Sequence, residues 1–264
     1  MSDVFDIDKS QGSLQECSQE CMGESPQELP RHRGVYLLPN LFTTAGLFAG
    51  FYAIVAGMKG QFEYAAIAIF VAMIMDCLDG RVARLTKTQS AFGAQYDSLS
   101  DMVSFGITPA LVGYNWGLSE LGKPGWLAAF IFAATGALRL ARFNIQMGTV
   151  DKRYFVGLPI PAAAAVVAGM VWVGTELEIS GKSWSPVVAL IVVVVGILMV
   201  SHFKYYSFKE VDFKNNVPFV ALLAIILLFS VIAWNPPIVL FSTFFIYALS
   251  GPVMCIKNRL RGGA

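Results

Sequence analysis

The sequence predicts an all-α fold: a polytopic membrane helix bundle of about eight transmembrane helices. Hydrophobic residues fill 56% of the 264 positions and charged residues only 14%, whereas an ordinary soluble domain carries about a quarter charged residues. Mean hydropathy is +0.60. The basic residues are also one-sided. If the apolar segments cross a bilayer in turn, only Lys59, Lys123 and Lys182 of the nineteen Lys and Arg fall in connections on one side. The rest mark the cytoplasmic side, which then holds both termini. A bacterial inner (cell) membrane is the expected location.

The elements follow in order. Residues 1–30 are polar and acidic with few large apolar groups, so they are expected to form a disordered cytoplasmic tail, leaving 31–264 as the transmembrane domain. No basic region precedes an apolar run there, so no cleaved signal peptide is expected. Cys17 and Cys21 lie four apart in this tail without the second ligand pair of a zinc site, and read as free thiols. Apolar segments are expected near 37–58, 63–80, 94–116, 124–147, 155–175, 185–201, 217–234 and 236–256, each about long enough for a hydrocarbon core of roughly 30 Å. Most show neither alternation nor a polar stripe, as suits helices among lipid and other helices. In the first, Pro39-Asn40 reads as a helix start with Asn40 as N-cap. In the fifth, Gly157 to Pro161 is expected to kink the span, either opening a cavity or shaping packing. Asn235-Pro236-Pro237 forms a tight turn between the last two. Cys77 and Cys255 read as packing residues. There is no internal repeat and no nucleic-acid motif, so nucleic acid is not an expected partner.

The second and third segments break the apolar pattern with Asp76, Asp79, Asp97 and Asp101. Burying carboxylates near lipid costs several kcal/mol each unless a cation neutralises them. Asp76 and Asp79 are three apart, Asp97 and Asp101 four apart, so each pair projects from one helix face. Two such pairs on neighbouring helices make an oxygen-rich cage for one or two hard divalent cations. Two other readings exist: a charge network completed by Arg81 and Arg84, or the path of a cation transporter. A transporter, however, would not need glycines and an arginine in fixed phase with the carboxylates, and would more often show inverted repeats.

The full spacing is D-x2-D-G-x2-A-R-x8-G-x3-D-x3-D, with Asp76, Asp79, Gly80, Ala83, Arg84, Gly93, Asp97 and Asp101 at the fixed positions. This resembles the signature of the CDP-alcohol phosphotransferase family at every position. The stretches LPNLFTTAGLFAGF, ALRLARFN, FVGLPIPAAAA and SHFKYYSFK look like its phosphatidylserine synthase branch, and the likeness runs from Arg31 to about Lys214.

That resemblance implies transfer of a phosphatidyl group from CDP-diacylglycerol to the hydroxyl of L-serine, releasing CMP, at the cytoplasmic membrane face. It implies Mg²⁺ or Mn²⁺, two ions, held by Asp76, Asp79 and Asp97, with Asp101 as general base also touching the second metal. It implies a homodimer embedded in membrane lipid. Gly80 and Gly93 would admit the nucleotide closely, and Arg84 would fork onto a phosphate or ribose oxygen. Asn40 and Thr43 are expected to contact the cytidine or ribose. At the end of the fourth segment, Arg139 and Arg142 are three apart and face one way. They read equally as anchors at the basic side of the membrane or, with Asn144, as ligands of the serine carboxylate. Lys152, Arg153, Lys204 and Lys209 read as headgroup contacts, and His202 as a lone interfacial histidine. Within the family the other acceptors are glycerol 3-phosphate, inositol phosphate and choline.

Overall fold

The computed structural model describes residues 37–86, 90–146, 154–206 and 219–261. The tail expected over 1–30, the cysteines Cys17 and Cys21, and Lys152, Arg153 and Lys209 lie outside these residues. The helices are α1 (Leu37–Met58), α2 (Phe62–Leu85), α3 (Ala91–Asp101), α4 (Thr108–Trp116), α5 (Lys123–Gln146), α6 (Ile160–Glu176), α7 (Ser185–Val200), α8 (Phe219–Trp234) and α9 (Pro236–Arg261). A wide π-helical turn, Met102–Ile107, joins α3 to α4 without a break, so these two form one rod and a helical rod stands at each expected position. Among the described residues, three helices are long and apolar enough to cross a membrane, over Pro39–Met58, Lys123–Ile145 and Pro236–Cys255, and α6 and α7 are shorter apolar helices. The chain is an integral membrane protein.

Two local expectations are corrected. Asn40 does not cap α1, because the helix already begins at Leu37. Pro39 fits the first turn since its missing N–H has no intrahelical partner there, and the Asn40 carbonyl accepts from the Thr44 hydroxyl at 2.7 Å. Nor does Gly157–Pro161 kink a span. A short strand β1 (Tyr154–Val156) pairs antiparallel with β2 (Lys204–Tyr206), Gly157 turns the chain at φ +83°, and α6 starts afresh at Ile160 with Pro161 in its first turn. Proline is compatible with that position, so the chain bends before the helix instead of within it.

Small residues let the helices around the aspartates approach closely. α1 buries Ala49, Ala53 and Ala56, and α2 buries Ala65, Ala66, Ala68 and Ala72, the small-residue packing typical of membrane helices. A methyl group on Gly50 would meet the Ser104 hydroxyl at 2.6 Å, and one on Gly57 would meet Val112 at 3.2 Å. A ladder of hydroxyls crosses this seam. Ser100, Ser104 and Thr108 donate to the carbonyls of Thr43, Gly46 and Gly50, each at 3.2 Å. Positions four apart drift about 40° per step around a regular helix. The wider π turn takes up that drift, keeping all three on the α1 side. The Thr108 hydroxyl also lies 2.8 Å from the Val103 carbonyl, which the π turn contains. Behind this seam α6 buries every residue from Ala162 to Val171 and forms the centre of the bundle.

Candidate functional site

The C-terminal half of α2 carries Asp76 and Asp79 and faces the start of α3, which carries Asp97 and Asp101. Ser90 starts α3: its backbone is extended and its hydroxyl accepts from the Gly93 N–H at 2.9 Å, an N-cap. That cap fixes the phase of the four-residue steps from Gly93 to Asp97 to Asp101.

Asp76, Asp97 and Asp101 each offer one oxygen, and these lie within 4.8 Å of one another. The Asp76 and Asp101 carboxylates are within hydrogen-bonding distance of each other. Asp97 Oδ1 is buried and bonded by nothing among the described residues. Two like charges in contact, with a buried oxygen unused beside them, require a cation or a proton. A recess of about 10 Å³ lies between Asp76, Asp79, Asp97 and Asp101, room for about one water-sized occupant. Oxygens that share a hard divalent ion at 2.0–2.6 Å stand at most about 4–5 Å apart. The donor set, spacing and size therefore all fit such an ion.

Asp79 stands outside that trio. It is 5% exposed, and its Oδ2 accepts from the Thr43 hydroxyl at 2.8 Å. Thr43 thus orients a carboxylate, a role not expected for it, and still lines the neighbouring cleft. That cleft has a volume of about 620 Å³ and opens beside the recess, between α1, α2, α3 and the start of α6. Its walls include Asn40, Gly80, Arg84, Gly93, Asp76, Asp79 and Asp97, so the expected donor-binding residues converge. A methyl group on Gly80 would meet nothing within 4 Å, while one on Gly93 would come 3.4 Å from Asn40 Oδ1. Gly80 keeps the cleft open and Gly93 allows close packing at its rim. Arg84 is held along the wall by its Nε, which donates to the Gly80 carbonyl at 2.9 Å. Cys77 also lines the cleft and is exposed, as is Cys255, so neither fills the packing role expected of it. Sequence reading missed Cys77 because Asp76 and Asp79 claim the inward face while the cleft exposes a broader arc of α2. It missed Ser90 although a serine just before a helical pattern is an N-cap signal.

The three residues at the end of α5 are not equivalent. Arg142 donates to the Val200 carbonyl at the end of α7, 3.4 Å away. Asn144 exchanges hydrogen bonds with the Ser98 hydroxyl of α3 at 3.1 and 3.2 Å. Arg139 is 8% exposed, its Nε has no partner among the described residues, and its guanidinium lies within electrostatic reach of Asp101. It is the one of the three with buried donor capacity left over. His202 is exposed at the end of the β2 approach.

The model of the CDP-alcohol phosphatidyltransferase family matches residues 36–202. Among similar proteins, the CDP-diacylglycerol–serine O-phosphatidyltransferase of Helicobacter pylori strain 26695 is 38% identical over 195 residues, 74% of this chain and 82% of that protein. A protein of the same name from Mycobacterium bovis is 38% identical over 205 residues, 74% of this chain and 70% of its own length. The archaetidylserine synthase of Methanothermobacter thermautotrophicus is 34% identical over 170 residues, 64% of this chain and 69% of that protein.

Proposed function

The chain belongs to the CDP-alcohol phosphatidyltransferase family, and from that membership we propose that it transfers the phosphatidyl group of CDP-diacylglycerol to L-serine, giving phosphatidylserine and CMP. The observation that carries the reading is the convergence of Asp76, Asp97 and Asp101 beside a cleft lined by the rest of the motif. Membership decides for an enzyme over the cation-transporter alternative. Serine is favoured as acceptor because the named relatives from bacteria and an archaeon share it while their lipid names differ.

The residues divide the work. The donor pyrophosphate lies along the cleft past Gly80, with Arg84 at its wall and Asn40 and Thr43 toward the nucleotide. Asp76, Asp79, Asp97 and Asp101 would hold Mg²⁺ or Mn²⁺, two ions in our reading. When bound, these ions supply charge neutralisation at the phosphates and a better CMP leaving group. Thr43 fixes one Asp79 oxygen, so that carboxylate keeps its orientation. Asp101 takes the proton from the serine hydroxyl as the new oxygen–phosphorus bond forms and the bond to CMP breaks. The proton then passes to solvent. Arg139, with Arg142 and Asn144 around it, receives the serine carboxylate.

The site faces the cytoplasm in this reading, with eight crossings, both termini inside and a homodimer as the family resemblance implies. Arg81, Arg84, Arg139 and Arg142 at the aspartate end support that orientation, and Trp116, Trp126, Trp184 and Trp234 at helix ends away from the aspartates mark the opposite membrane interface. The testing experiment is an acceptor screen on purified protein with CDP-diacylglycerol as donor. CMP release is expected with L-serine and a divalent ion, and none in excess chelator. Release with glycerol 3-phosphate but not serine would overturn the acceptor, and full activity in chelator would overturn the metal.

A further inference from the structure

Pro252 stands inside α9, where a proline deprives the helix of one hydrogen bond. The N–H of residue 252 would serve the carbonyl of Ala248, four residues back, and proline has none to give. Its ring also crowds that carbonyl. Ala248 is 2% exposed, so water has little access to the orphaned oxygen. A freed backbone acceptor in a membrane helix is tolerated where a neighbouring group serves it.

Here that group is Tyr205 of β2. Its side chain is fully buried, and its hydroxyl donates to the Ala248 carbonyl at 3.0 Å. Gly251 makes room for it: a methyl group there would stand 2.7 Å from the Tyr205 hydroxyl. The Tyr205 ring also lies against that of Tyr247, one turn earlier in α9, at a centroid distance of 5.5 Å. The residue before the proline thus admits the ring, and the carbonyl that the proline orphans receives the hydroxyl. β2 and α9 both lie beyond residues 36–202, the segment that the family model matches, so this joint belongs to a part of the chain outside the shared motif.

What the joint holds is the start of α6. β2 pairs with β1. The Gly157 N–H donates to the Phe203 carbonyl at 2.9 Å, and the Leu158 N–H to the Leu198 carbonyl at 3.0 Å. The chain then enters α6 at Ile160. Ile160 is 1% exposed, and a methyl group on Gly136 of α5 would come 3.0 Å from its side chain, so the entry is closely packed. Pro161, the next residue, lines the cleft beside the carboxylates.

We propose that Tyr205 supplies the donor that Pro252 withholds, and that this latch between β2 and α9 positions the α6 wall of the cleft for CDP-diacylglycerol. The part that concerns the cleft rests on the donor reading given above; the latch itself does not. Without the latch, the paired strands lose their hold on α9, and the α6 start loses its support.

The test compares Tyr205→Phe, Pro252→Ala and the double variant in detergent, by thermal unfolding and by kcat and KM for each substrate. Tyr205→Phe keeps the ring in its seat at Gly251 and removes only the donor. Tm should fall by about 4–8 °C, as for a buried acceptor left without a partner. The KM for CDP-diacylglycerol should rise about three- to tenfold, the size of effects carried through packed elements, with the serine KM unchanged. Pro252→Ala returns an N–H to α9, so the double variant should recover most of both losses. Such recovery separates a hydrogen bond from ring packing, which Pro252→Ala would not mend. An equal Tm loss from Tyr205→Phe with and without Pro252→Ala overturns the latch. A coupled Tm with an unchanged KM for CDP-diacylglycerol overturns its control of the cleft. If the unaltered protein releases no CMP from CDP-diacylglycerol, the donor reading fails and the cleft role with it, while the thermal comparison still decides the latch.

Discussion

The carboxylates of α2 and α3 and the guanidinium of α5 are all polar groups taken out of water, but they are accommodated in different ways. Asp76, Asp97 and Asp101 converge on each other within 4.8 Å, so their burial makes sense only with a positive charge among them. Arg139 forms no such cluster, and its buried Nε has no partner among the described residues. In the function we propose, an ion closes the first arrangement and the acceptor's carboxylate the second. An unpaired buried donor costs about 1–3 kcal/mol, and in this reading binding of the acceptor recovers that cost.

The sharpest way to break the comparison is at Asp101, which belongs to the carboxylate trio and lies within reach of Arg139. Asp101→Asn keeps the shape and removes the proton acceptor. Turnover should fall by about 10²- to 10⁴-fold, the usual contribution of a general base. Binding of CDP-diacylglycerol, followed by isothermal titration, should be largely retained. Normal turnover would remove Asp101 as the base and leave it a metal ligand alone.

The two regions also differ in how far they can be read from the chain. The carboxylate site is legible because its residues sit on two consecutive helices, where spacing of three or four translates directly into a shared face. The helical rods among the described residues are legible for a similar reason, since long apolar runs without alternation leave few alternatives to a helix. Thr43 marks where such reading stops. It faces the cleft as expected, yet its bond to Asp79 joins residues 36 apart, and no local pattern encodes that pairing. The same holds for Asn144, which bonds Ser98 of a helix remote in sequence. The fifth span was misjudged at its start because Gly and Pro signal a break without saying whether a helix bends or has yet to begin. Pairing of β1 with β2 decided that.

Thr43→Val offers a smaller and more selective perturbation. It is nearly isosteric, but it leaves the buried Asp79 oxygen without its donor. Loss of one hydrogen bond to a charged group is worth roughly 1.5–3 kcal/mol, so metal-dependent activity should fall about ten- to a hundredfold. The fall should be partly recovered at higher Mg²⁺ or Mn²⁺, because a loosened carboxylate chiefly weakens the ion. The serine KM should stay where it is. A raised serine KM would mean that the carboxylate region and the Arg139 region are one coupled unit.

The smallest effect is expected at Asn144, which shares the end of α5 with Arg139 but makes a different kind of contact. Its amide is already used by Ser98, one residue after Asp97, and so serves to tie α5 to α3. Asn144→Ala should cost about 1 kcal/mol of stability, a fall of roughly 2–4 °C in Tm for a domain of this size. Ser98→Ala should give a similar shift, and the double variant little more, because one pair of bonds is lost in each case. Turnover should drop less than about twofold, since the tie lies outside the carboxylate trio and the recess keeps its own walls. The comparison turns on the serine KM. If it holds in Asn144→Ala while it rises in Arg139→Lys, the end of α5 divides into one residue for the ligand and one for the fold. If it rises in both, the acceptor pocket extends to α3, and the carboxylates and the arginine share a wall.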